Sequence, residues 1–194
     1  MQTPLEIINS SKITNDKEAA NTISFKVDKN ETIGILGPNG CGKTTTIGMI
    51  LGLLKPTSGK ILINEIDIET KRVDLLNNLN FISPYVELPK KLTVKQNLNV
   101  YGRLYDVKKL KEKIEYLSDK LRLEEILNKV TGELSSGQKN RVSLAKSIIN
   151  TPKILLLDEP TASLDPETGD FVRSFLEEYQ KEKGASILIA SHNM

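Results

Sequence analysis

An α/β fold is predicted for this chain: a mostly parallel sheet with flanking helices, plus an inserted helical subdomain. Three observations predict it. A short apolar run over 32–36 is followed by Gly37-Pro38-Asn39-Gly40-Cys41-Gly42-Lys43-Thr44 and then by a helical stretch over 44–54, a strand feeding a helix through a glycine-rich turn. A buried-type strand over 153–157 ends in Asp158, Glu159 and Pro160, at the strand end where open α/β sheets gather their ligands. Between these, over roughly 90–150, the apolar residues recur at helical spacing.

Taken in order, strands are expected near 5–8 and 23–27, with the polar stretch 10–20 between them as a loop. After the glycine-rich turn and its helix, Pro56-Thr57-Ser58-Gly59 has turn chemistry, followed by strands at 60–63 and 80–82. Thr93 and Gln96 have the form of a capping box, and Val94, Leu98, Tyr101 and Tyr105 share one helical face. A second helical run groups Ile114, Leu117 and Leu121. A third helix follows Leu134-Ser135-Ser136-Gly137-Gln138 and runs to about 150, with Val142, Ala145 and Ile148 or Ile149 on its apolar face; Ser135 or Ser136 would cap it. The last strand has the form S-I-L-I-A-S-H and ends in His192. No internal repeat or low-complexity segment interrupts this order.

Composition narrows the classes. A chain of 194 residues with 38% apolar and 27% charged residues reads as one globular domain over 1–194 with a sizeable core. Net charge is only +2, so bulk electrostatics do not argue for nucleic acid, and the lysines of 108–113 are interleaved as on a solvated helix face. Residues 1–12 lack a basic region followed by an apolar stretch, so no secretory signal is expected. The longest apolar stretch, 47–54, falls far short of the ~20 residues that cross a bilayer. Work at a membrane would therefore need a partner that supplies the spans. Cys41 is the single cysteine, so no intrachain disulfide can form and a reducing compartment is expected.

The chemistry lies in the glycine-rich turn and the acidic strand end. Gly37, Gly40 and Gly42 permit backbone angles that let successive amide N–H groups converge on phosphate oxygens. The helix that follows points its positive end at the same anion. Residues 37–44, with Thr45 after them, are thus the candidate nucleotide-binding set of a P-loop NTPase core. Lys43 would reach the β- and γ-phosphates, and the Thr44 hydroxyl is placed for Mg²⁺. Asp158 would hold Mg²⁺ through water, and Glu159 would orient and deprotonate the attacking water.

A phosphate-binding loop, then L-S-S-G-Q, then D-E-P, then Ser163-Leu164-Asp165, then a strand ending in His192: in this order the chain resembles an ATP-binding cassette (ABC) ATPase domain over nearly its whole length. That resemblance implies ATP and Mg²⁺ as cofactors, and two such domains facing head to tail as a homodimer or heterodimer. Each ATP would lie between the loop of one domain and Ser135, Gly137 and Gln138 of the other. By the same likeness Asp165 communicates across the interface and His192 contacts the γ-phosphate. It divides the chain into a core of about 1–89 and 151–194 and a helical subdomain of about 90–150 that touches a separate membrane-spanning subunit. The implied function is to power transport from the cytoplasmic face of the cell membrane, with no nucleic-acid partner expected.

Three positions depart from the family pattern. Where many members stack adenine on an aromatic residue, the nearest residue here is Ile13. Where a glutamine usually follows the strand equivalent to 80–82, this chain has Ser83-Pro84-Tyr85; Gln96 belongs to the capping box, and the contact stays unassigned. The chain stops at Met194, where members typically continue, so the C-terminal end of the family domain is expected to be missing. The run N-L-x-x-Y-x-R-L-Y from Asn97, with the absent glutamine, leans toward exporter-type ATPases. The alternatives are a soluble ABC-type ATPase acting on nucleic acid or the ribosome, usually marked by zinc-binding cysteines, coiled-coil insertions or a second cassette, and a regulatory domain that binds ATP without turnover. Lys43, Asp158 and Glu159 argue against the second of these.

Overall fold

Two four-stranded sheets, one parallel and one antiparallel, organise the computed structural model, which describes residues 3–14, 17–83, 86–162 and 164–192. From the amino end, β1 (Leu5–Thr14) and β2 (Lys17–Val27) pair as a long antiparallel hairpin, and β3 (Thr32–Leu36) leads into α1 (Lys43–Ile50). β4 (Ser58–Ile63), β5 (Ile66–Asp67) and the short α2 (Arg72–Leu76) precede β6 (Leu79–Ile82). The helices α3 (Val94–Leu104), α4 (Leu110–Lys120) and α5 (Ser136–Ser147) follow, and β7 (Ile154–Asp158), α6 (Pro166–Lys183) and β8 (Ser186–Ser191) complete the chain. The parallel sheet runs β3-β8-β7-β6 and the antiparallel sheet β2-β1-β4-β5.

Every residue of β7 is buried. Because strand side chains alternate between faces, Leu155 and Leu157 pack with the helical layer and α6, while Ile154 and Leu156 pack with α1 and the antiparallel sheet. Fully burying one such side chain is worth about 1.5–3 kcal/mol. A strand apolar on both faces is therefore anchored twice, and its polar end, Asp158, is placed with little freedom.

The helical expectations hold in detail. Val94 and Leu98 are buried on α3, with Tyr101 and Tyr105 partly buried beside them, and Ile114, Leu117 and Leu121 are buried at α4. The capping box is formed, Gln96 N–H donating to Thr93 Oγ1 at 3.2 Å and Thr93 N–H to Gln96 Oε1 at 2.8 Å. The Lys146 ammonium lies 5.2 Å from the ring centres of both Phe81 and Tyr101, linking α5 to β6 and α3. Among the described residues no helix is long and apolar enough to cross a membrane.

Three expectations are corrected and one helix is added. The described residues of the stretch 10–20, 10–14 and 17–20, are not loop but the adjoining parts of β1 and β2. Their hydroxyls serve the pairing: Ser10 Oγ donates to Lys60 O at 3.0 Å and Thr22 N–H donates to Ser11 Oγ at 2.8 Å, across a register broken by bulges. Such bulges destroy the period-two alternation that marks a strand in sequence. Ser58 and Gly59 of the expected turn already belong to β4; Gly59, at φ 82°, lies so close to Asn9 that a Cβ would meet its carbonyl oxygen at 2.3 Å. The helix after the glycine-rich turn ends at Ile50, not Leu54. Gly52 at φ 62° closes it, its N–H donating to Met49 O and that of Leu53 to Gly48 O, a Schellman arrangement. Finally, the 18-residue α6 was not foreseen, although Asp165, Pro166 and Gly184 mark its ends and Val172, Phe175, Leu176 and Tyr179 its buried face.

Candidate functional site

Strand register assembles the site. In the parallel sheet Leu36 lies opposite Ser191, and Ala190 opposite Asp158, so β3, β8 and β7 end side by side. Gly37 N–H donates to Ser191 O at 3.4 Å and Glu159 N–H donates to Ala190 O at 2.8 Å. The glycine-rich loop, Asp158-Glu159 and His192 thereby meet at one edge.

Within the loop, Gly40 (φ 84°) and Gly42 (φ 98°) have left-handed backbone. At Gly42 a Cβ would stand 2.3 Å from Ala19 O of β2, so both conformation and space exclude a side chain. α1 starts here with no side-chain cap and no acidic residue in its first turn, which leaves its N–H groups and positive end for an anion. Pro38, Asn39, Gly40 and Cys41 are exposed, and Thr45 is half-buried. Lys43 is buried, its ammonium donating to Gly37 O at 2.6 Å and Pro38 O at 3.1 Å. It lies at the loop's mouth and is satisfied by the loop's own carbonyls.

Asp158 is 2% exposed. Its Oδ2 accepts from Thr44 Oγ1 at 3.1 Å and from Ser83 Oγ at 3.5 Å. Burial pushes the carboxyl above the usual aspartate value; the Thr44 hydrogen bond opposes this and the neighbouring Glu159 charge adds to it. A buried carboxylate among hydroxyls, beside the glycine-rich loop, is a set of hard oxygen donors of the kind Mg²⁺ takes when it bridges protein and phosphate. The residues present fit that ion.

Glu159 sits at φ 50°, a left-handed angle uncommon for a residue with a side chain and often tolerated at functional sites. Its Oε1 is 2.7 Å from His192 Nδ1 and its Oε2 accepts from Ser191 Oγ at 3.2 Å. An ionised carboxylate only accepts, so toward it Nδ1 is the donor.

Ser135, Gly137 and Gln138 stand at the start of α5, and no hydrogen bond connects them to the loop or the acidic pair within this chain. Ser135 Oγ accepts from Gln138 N–H at 3.3 Å and Gln138 Oε1 accepts from Ser135 N–H at 3.0 Å, which makes Ser135, not Ser136, the cap. Asn140, one turn on, donates to Pro160 O at 2.8 Å and ties α5 to the chain leaving Glu159. Asp165 caps α6, accepting from Thr168 N–H at 2.9 Å; Ser163 lies outside the described residues, as do Pro84, Tyr85 and Met194. Ile13 is 46% exposed and pairs with Glu18, next to the Ala19 that abuts Gly42. Sequence alone did not single out Asn140, or Ser191 as a partner of Glu159. Ser83 and Ser191 do carry one signal, a hydroxyl at the carboxyl end of a parallel strand.

The family model described as ABC transporter matches residues 20–162. The chain belongs to that family. It is 34% identical over 192 residues to the Nod factor export ATP-binding protein I of a Rhizobium species, covering 98% of this chain and 63% of that protein. With the probable multidrug ABC transporter ATP-binding protein YbhF of Escherichia coli it shares 36% identity over 197 residues, covering 100% of this chain and 34% of YbhF. The chain thus spans less than two thirds of the length of either relative. A solved ATP-binding subunit of an ABC transporter superposes with a TM-score of 0.88 at 29% identity, covering 98% of this chain and 80% of that one. Part of the cbiONQ ABC transporter complex of Clostridium perfringens superposes at 0.85 with 31% identity, covering 100% and 80%. The α/β core with its P-loop is that of these ABC transporter subunits.

Proposed function

We propose that this chain binds and hydrolyses ATP with Mg²⁺ and powers transport through a separate membrane-spanning subunit, at the cytoplasmic face of the membrane. The observation that carries this reading is the meeting of Lys43, Asp158 and Glu159 at the ends of neighbouring parallel strands. Residues 37–45 would cradle the phosphates, Lys43 exchanging its loop carbonyls for phosphate oxygens. Thr44 and Asp158 would hold Mg²⁺, which when bound neutralises charge on those oxygens. Glu159 would hold and deprotonate the attacking water, with His192 steering the carboxylate from its Oε1 side. Ser135, Gly137 and Gln138 would complete the site of a second ATPase domain, because the start of α5 presents N–H groups to an anion from outside the chain. The helical part, about 90–150, would dock on the membrane subunit. An export role is favoured by the relatives named for Nod factor export and multidrug transport, although a carnitine transport protein of Listeria is also 34% identical.

Asp158→Asn tests the metal assignment. Since the folded carboxyl holds its proton more tightly than an ordinary aspartate, its contribution to the stability of the nucleotide-free protein is full below the unfolded value of 3.8 and declines as pH rises through the raised folded value. Removing the charge should therefore raise the nucleotide-free melting temperature at pH 7 while abolishing Mg²⁺-dependent turnover. A variant that hydrolyses Mg-ATP normally would overturn the assignment. Co-purification of a membrane-spanning protein with the native chain checks the partner; its absence from intact membranes would sink the transport reading.

Ile13 is proposed as the adenine contact. Ile13→Tyr should tighten ATP by about 1 kcal/mol, since stacking on a base is worth about 1–3 kcal/mol. Equal affinities by calorimetry would place adenine elsewhere.

A further inference from the structure

We infer that the outward half of α3, with the residues flanking it, is a contact surface for an anionic phospholipid bilayer. The inference rests on the transport reading, which brings the chain to a membrane leaflet of negative surface potential. Charge is divided unevenly along the chain. Residues 90–150 hold twice as many basic as acidic residues, whereas acidic residues outnumber basic ones elsewhere, so the net charge of +2 conceals a basic helical part and an acidic core. Around α4 the charge is answered locally: Lys108 pairs with Asp106, Lys109 with Glu112, Lys111 with Glu115 and Lys120 with Glu178. α3 has no acidic residue, and Lys91, Lys95, Arg103 and Lys129 are exposed with no ion pair among the described residues. Lys95 and Arg103 line one open groove of about 610 Å³, and Lys91 and Lys129 adjoin its lining residues Leu92 and Asn128.

The same half of α3 also carries apolar groups. Val100 is 44% and Leu104 73% exposed, one turn apart and opposite the buried Val94, Asn97 and Leu98. Apolar side chains set among cations are the pattern of an interfacial helix, whose apolar groups enter the headgroup region while lysine and arginine meet phosphate. Two features favour lipid over other anions. Lys95 and Arg103 stand about 12 Å apart along the helix axis, too far to share one carboxylate of a protein partner, whereas headgroup phosphates meet each separately. Tyr101 and Tyr105 pack on the core and do not stand out to stack on the bases of a nucleic acid.

The test floats the full chain with vesicles of phosphatidylcholine alone or mixed with phosphatidylglycerol. Wild type should float with the anionic vesicles only, and binding should fall steeply with salt, which screens charges at a surface beyond about 8 Å at physiological ionic strength. A variant combining Lys91→Glu, Lys95→Glu and Arg103→Glu should bind at least about 10-fold more weakly, given what each basic residue contributes near such a surface. A control combining Lys108→Glu, Lys109→Glu and Lys111→Glu changes the net charge equally on the paired side and should float like wild type. Both variants should keep the wild-type melting temperature and basal ATPase activity. Equal losses in the two variants would overturn the inference, by showing that bulk charge and not α3 is read; so would wild type that ignores anionic vesicles. Unchanged flotation of the α3 variant, with loss of a co-purifying membrane subunit, would overturn it by assigning the face to a protein segment, and wild type that binds duplex DNA but not vesicles would assign it to nucleic acid. Flotation through α3 by a wild-type chain without ATPase activity would leave this surface standing and sink the ATPase reading.

Discussion

Glu159→Gln is expected to keep ATP binding and to lower turnover by about 10²- to 10⁴-fold, the contribution of a positioned general base. The substitution preserves shape and removes basicity. An amide can still accept from Ser191 Oγ, which lies 3.2 Å from Oε2, and the backbone bond from residue 159 to Ala190 O is untouched, so the left-handed turn at φ 50° persists. What is lost is the ability to take a proton from water. With hydrolysis stopped, an ATP-bound dimer should accumulate, visible by size-exclusion chromatography with light scattering. Near-normal phosphate release by the folded variant would remove Glu159 from the chemistry.

Lys43→Ala and Ser135→Arg should each abolish ATPase activity as separate proteins, and mixing them should restore part of it. Lys43→Ala removes the buried ammonium at the loop's mouth; Ser135→Arg places bulk at the exposed start of α5. If a site combines the loop of one chain with α5 of another, the heterodimer has one intact site, made by the loop of the Ser135→Arg chain and the α5 start of the Lys43→Ala chain. Because turnover can need both sites, ATP-dependent dimerisation of the mixture is followed alongside hydrolysis. Ser135→Arg also deletes the cap that accepts from Gln138 N–H, a loss worth about 1 kcal/mol. A Ser135→Asp control keeps the cap while placing a negative charge toward the phosphate, and should be as inactive as the arginine variant. No recovery of either signal from folded partners would argue that Ser135 is a helix cap and nothing more.

Local chemistry decided most of what could be seen before folding. The loop over 37–44, the buried run before Asp158, the Thr93–Gln96 box and a cap at Ser135 or Ser136 each depend on residues a few positions apart, so spacing alone exposes them. The full length of β1 and β2, beyond the strands expected at 5–8 and 23–27, was hidden for the opposite reason. β1 and β2 are bulged, their polar residues are satisfied across strands, and the pairing of β1 with β4 joins residues some fifty positions apart, as in Ser10 with Lys60 O.

The candidate site divides in the same way. Sequence by itself determined which groups the chain has for the chemistry: a glycine-rich anion loop, a lysine, an aspartate and glutamate after an apolar strand, and one histidine. Only the tertiary structure decided which of them meet. Strand register set Asp158 beside Ala190 and Leu36 beside Ser191, which puts His192 on Glu159 and brings Ser83 to the carboxylate that also holds Thr44. The side chains that meet in this way lie between 33 and 114 positions apart. No local pattern encodes that proximity, because it is fixed by how buried strands pack against one another and not by any residue's own preference.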